Sequence, residues 1–98
     1  MKAAILISAL IASQAFAQDR LVMANEGGGE IVLTDRVCVV SGTTYERLRE
    51  AYAYNSTGQM MTGCWVLRDG LIHAVWAGSK GAVKRVYKPQ DFEQRWSQ

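Results

Sequence analysis

Asp69-Gly70 constrains this chain more than any other pair of its residues. Asp-Gly between two apolar runs signals a two-residue type I′ hairpin, because both central positions need positive φ and these residues tolerate it. Placing that turn sets a register. Arg68 faces Leu71, Leu67 faces Ile72, Val66 faces His73, Trp65 faces Ala74 and Cys64 faces Val75. Strands are expected over residues 60–68 and 71–77. Gly78-Ser79-Lys80-Gly81 then turns the chain, and residues 82–88 return as a further strand that Pro89 ends. Upstream, Asn55-Ser56-Thr57-Gly58 has turn chemistry, so the alternating segment Ala51-Tyr52-Ala53-Tyr54 enters as the first strand of a four-stranded antiparallel meander.

The N-terminal half is read from composition. Residues 18–26 form a short lead-in, and Gly27-Gly28-Gly29 is a turn or bulge, since no G-K-[ST] and no helix follow to make it a phosphate loop. Residues 30–40, rich in β-branched side chains, predict one or two strands around Cys38. Thr43-Thr44-Tyr45-Glu46 fits the capping box S/T-x-x-E, which predicts a short helix over 44–50 with Tyr45 and Leu48 inward. Residues 89–96 predict a second short helix, with Phe92 and Trp96 on one face. The expected fold class is therefore α+β: a small meander, an N-terminal strand segment and one or two short helices. Extending the hairpin register gathers Tyr52, Tyr54, Trp65, Trp76 and Tyr87 on one face, and Cys64, His73, Val75, Lys84 and Val86 on the other. Both faces are substantially apolar, whereas a bare antiparallel sheet shows one polar face, so each side needs cover.

Residues 1–17 have the three parts of a secretion signal: Lys2, an apolar stretch too short to span a bilayer, and the small-x-small site Ala15-Phe16-Ala17. Gln18, not Cys, follows, so no lipid anchor is indicated. A single mature domain over 18–98 is expected, periplasmic or secreted. Lys2 leaves with the signal, which lowers the full-chain net charge of +2 by one. So nearly neutral a domain has no global field to draw it to nucleic acid, and no other apolar run approaches membrane length. Both cysteines, Cys38 and Cys64, stay in the mature part. In a small exported domain an even cysteine count reads as a disulfide, and the redox or metal alternative lacks C-x-x-C spacing and a ligand cluster.

Glu30-Ile31-Val32-Leu33-Thr34-Asp35-Arg36 through Cys38, then Ala51-Tyr52-Ala53-Tyr54, Gly63-Cys64-Trp65, Asp69-Gly70 and His73-Ala74-Val75-Trp76 together resemble a group of small secreted proteins encoded by bacteriophages and by proteobacterial prophages. The resemblance covers most of the mature chain. It implies a phage or prophage context, and no activity attaches to it. Val37 departs from the proline expected before Cys38, which touches local strand geometry alone.

No motif points to a cofactor, a metal or a catalytic residue. His73 has no free nucleophile beside it, and a strand histidine is more often packed than catalytic. The carboxylate pairs Glu46/Glu50 and Asp91/Glu93 suit helix-surface positions better than glycoside hydrolysis. The aromatic face reads first as core and second as a platform for sugars or partner side chains. Asn55-Ser56-Thr57 is a formal glycosylation sequon, incidental behind a bacterial-looking signal. Lys80, Lys84, Arg85 and Lys88 form a run with no acid between Asp69 and Asp91. Such a run either guards an edge strand or meets an anionic partner. Lys84, Arg85, Tyr87 and Lys88 are the candidate partner-binding residues. The expected function is a non-enzymatic exported binding or inhibitory protein acting on an envelope protein or glycan. The alternatives are a cell-wall glycan enzyme and a structural virion or envelope component. Export has a direct test: intact-mass analysis of periplasmic protein should give a chain starting at Gln18, and full-length chain recovered from the membrane would refute cleavage.

Overall fold

The computed structural model describes residues 19–96. The expected signal segment lies outside the described residues. Seven strands make one sheet: β1 (Asp19–Ala24), β2 (Glu30–Val40), β3 (Thr43–Tyr54), β4 (Met60–Arg68), β5 (Leu71–Gly78), β6 (Gly81–Tyr87) and β7 (Glu93–Trp96). Their order is β6-β5-β4-β3-β2-β1-β7, and every neighbouring pair is antiparallel.

The expected α+β class is therefore corrected to all-β, since no α-helix occurs among the described residues. The segment expected as a capped helix over 44–50 belongs to β3, because Ser41 (φ 50°) and Gly42 (φ 80°) make a two-residue turn just before it. That turn repeats the geometry of Asp69 (φ 55°) and Gly70 (φ 78°), and it pairs Val40 with Thr43 before a helix can nucleate. The second expected helix shrinks to one 3₁₀ turn, Pro89–Asp91, followed by strand β7. The lead-in is strand β1, and the triple glycine is its turn into β2, held by Asn25 N–H to Gly29 O at 3.1 Å. The Asp69-Gly70 register holds from Arg68–Leu71 to Cys64–Val75.

The sheet cannot be flat. Residues 88–92 alone join β6 to β7, which lie at opposite edges. Seven flat strands would hold their edges about 29 Å apart, and this link reaches at most roughly 20 Å. The sheet therefore curls into an open barrel, and Tyr87 meets Phe92 edge-to-face across the link at 5.8 Å. The concave side holds the core: Ile31, Leu33, Ala51, Ala53, Ile72, Ala74 and Trp76, with Leu21, Trp65, Tyr87 and Phe92 packed around them. Small alanines on β3 and Gly63 on β4 leave room for the indole of Trp76, 4% exposed. A Cβ on Gly63 would enter the Val75 carbonyl and lie 2.9 Å from the Trp76 ring.

Beyond Leu33 the β2 register shifts at a bulge, and the outer half of the β2–β3 hairpin bends away. Buried Thr34 anchors that bulge. Its hydroxyl accepts the Arg36 N–H at 3.2 Å and lies 3.1 Å from a Glu50 carboxylate oxygen, while its carbonyl accepts the Trp65 indole N–H at 2.9 Å. Arg36 and Glu50 close the group as an ion pair at 3.2 Å. The bent hairpin brings Val40, Tyr45 and Leu48 to the convex face beside Cys64, Val75 and Ala82. The Cys38–Cys64 disulfide staples it there, with Cα atoms 5.6 Å apart. In the chain-entropy picture a loop of this length contributes about 3.5 kcal/mol. Gly63→Ala should cost about 1–3 kcal/mol by overpacking, read as a lowered urea midpoint; unchanged stability would show that Trp76 does not need the glycine.

Candidate partner-binding site

β6 forms one free edge of the sheet, and its alternation divides the candidate residues between two faces. Val83, Arg85 and Tyr87 pair with Trp76, Ala74 and Ile72, which places them on the concave side. Lys84 and Val86 pair with Val75 and His73 on the convex side, and Lys88 begins the link to β7. All of β6 is exposed except Tyr87, which is half-buried.

On the concave side β6 borders a cleft of about 450 Å³ at the open mouth of the curled sheet. Met23, Ile31, Met61 and Trp76 give it an apolar floor, Val83, Arg85 and Tyr87 form one wall, and Asn25 and Glu26 approach from the β1–β2 turn. The Tyr87 hydroxyl accepts the Trp76 indole N–H at 3.1 Å, so Tyr87 is fixed as a post of the wall. Arg85 is free of such a role; one of its guanidinium nitrogens comes within 3.5 Å of the Lys84 carbonyl. Neither Lys80, Lys84, Arg85 nor Lys88 forms an ion pair among the described residues.

The structure breaks up the expected aromatic platform. Tyr52 and Tyr54 pair with Thr62 and Met60, so they point away from the face that carries Trp65, Trp76 and Tyr87. The indoles are committed to internal hydrogen bonds with Thr34 and Tyr87. One carboxylate of each expected pair is engaged: Glu50 with Arg36, and Glu93 with Arg95 at 3.8 Å. Of the acids, Glu26 alone lines the cleft. His73 is half-buried between Val66 and Val86. No group of three or more His, Cys, Asp or Glu gathers among the described residues. No helix among them is long and apolar enough to cross a membrane.

Sequence reasoning missed a second polar cluster, at the opposite edge. The Tyr54 hydroxyl donates to Glu30 at 2.6 Å, and Arg95 on β7 pairs with Glu30 at 2.9 Å. Only the folded register brings these distant residues together, so no local signal could have revealed them. Comparison with family models, curated proteins and solved structures finds no match.

The cluster makes the β7 edge sensitive to acid. The hydrogen bond from Tyr54 first, then Arg95, holds the Glu30 carboxyl below its ordinary value of 4.5. A carboxyl lowered by folding stabilises fully above that ordinary value and loses its effect as pH falls through the lowered one. Tyr54→Phe should raise the Glu30 pKa, because burial then opposes Arg95 without the tyrosine hydrogen bond, and should flatten the loss of stability on the acid side. NMR titration of the Glu30 side chain checks this, and an unmoved titration would remove Tyr54 as the main cause.

Proposed function

We propose that this protein is a non-enzymatic binding protein that acts after export, and that its partner surface is the β6 wall: Lys84, Arg85, Lys88 and the fixed ring of Tyr87. One observation carries the reading. A fully formed strand at the rim of an open cleft displays cations on both faces, and none of them is tied up in an ion pair among the described residues. Cationic side chains beside a rigid ring give long-range attraction and a desolvated anchor for an anionic partner. The resemblance to phage and prophage proteins makes an envelope protein the fitting target, and an inhibitor of an envelope enzyme the fitting role.

Lys84→Ser/Lys88→Ser should leave stability within about 0.5 kcal/mol, as for ordinary surface positions. Capture of an anionic envelope component by the immobilised variant should weaken and lose part of its salt dependence. Capture unchanged in strength and salt dependence, with the fold intact, would reduce the basic strand to a device for solubility.

A further inference from the structure

We infer that β6 seats its partner by strand addition: an extended acidic segment pairs its backbone along the open side of Gly81–Tyr87. The inference rests on the reading of β6 as the partner surface and specifies how that surface works.

The two edges of the sheet differ in a telling way. Edge strands are commonly protected by shortness, bulges, proline or charged side chains, and of these β6 has charge alone, in Lys84 and Arg85, which an acidic strand would neutralise. β7 has such protection: it is four residues long, and its Arg95 is tied to Glu30 and Glu93. β6 has seven residues and pairs with β5 without a register shift from Gly78–Gly81 to Ile72–Tyr87. Proline comes only at Pro89, beyond its end. Its outer side has no strand neighbour among the described residues. A long, regular, open edge is the template that strand-adding complexes use, with main-chain hydrogen bonds giving affinity and alternate side chains giving specificity.

Charge decides what can occupy it. A second copy pairing β6 to β6 around its centre would bring Lys84 and Arg85 against the same cations, and like charges opposite one another are destabilising. An acidic strand reverses that sign. Because Lys84 faces the convex side and Arg85 the concave side, the partner needs two adjacent acids, one for each face. Val83 and Val86 flank them, so the recognised pattern is apolar-acid-acid-apolar. The residue beside Val83 would also reach the cleft.

A short synthetic peptide with two adjacent Glu flanked by Val, and by Thr beyond, is the probe. Titrated against the periplasmically expressed protein, it should bind, and it should weaken about tenfold with either Lys84→Ser or Arg85→Ser. The same peptide N-methylated at alternate backbone amides on its pairing side keeps every charge but loses the ladder, and it should fail to bind. Hydrogen exchange should slow at β6 amides and stay unchanged in β7. Equal binding of the methylated peptide, or protection confined to β7, would overturn strand addition while leaving the basic strand as a binding surface. A peptide that does not bind, when Lys84→Ser/Lys88→Ser still weakens envelope capture, would overturn it in the same way. Capture insensitive to the lysines would instead remove the functional reading beneath it.

Discussion

The link from Tyr87 to Glu93 governs the rest of the molecule. Too few residues separate β6 from β7 for the edges of a seven-stranded sheet to stand apart, so the sheet curls and one of its faces becomes an interior. Packing follows from that geometry. Alanines on β3 and Gly63 on β4 keep the inner wall low, Trp76 fills the space, and Tyr87 and Phe92 close the seam by ring contact and by the indole hydrogen bond. The curl stops short of full closure, and the mouth it leaves is the cleft beside Arg85.

The convex face is covered in part by a second device. A small domain has too little chain to place a separate layer over each side of its sheet. Here one hairpin serves both: its inner half belongs to the sheet, and beyond the bulge its outer half bends so that Val40, Tyr45 and Leu48 line a hollow with Cys64 and Val75, leaving Val75 and Val86 exposed. The bend survives because Thr34, Glu50, Arg36 and Trp65 satisfy the polar groups that a bulge frees. The disulfide then holds the bent hairpin against Cys64, so sequence pattern, ladder irregularity and cross-link act on one element.

Turn chemistry was the legible part of the sequence. Asp69-Gly70 fixed five residue pairs correctly, and Cys38 and Cys64 were rightly paired. The capping box at Thr43 misled because Ser41-Gly42, the same kind of turn, stands immediately before it; a strand already paired through Val40 and Thr43 has no freedom to wind. Carrying the hairpin register through the turn at residues 55–58 puts Tyr52 and Tyr54 on the wrong face. Tyr54 pairs with Met60, and the expected pairing was one position off, which moves every side chain of β3 to the other side. Of the basic run, Lys84 and Arg85 lie on an edge strand as expected, while Lys80 sits in the preceding turn and Lys88 beyond the strand's end. The run's division between two faces was also implicit in the period-two pattern, but the cleft that Arg85 borders depends on the curl, which no local pattern encodes.

One consequence lies in the order of synthesis. β7, the last strand among the described residues, pairs with β1, the first of them, through Asp19–Trp96 to Val22–Glu93. Hairpins β2 to β6 can form as each emerges, since their partners are neighbours in sequence. β1 can find β2 early too, but its outer side stays unpaired until β7 arrives. The sheet is thus completed only once β7 has been made, and a chain without it would present the outer side of six-residue β1 as an edge in place of four-residue β7.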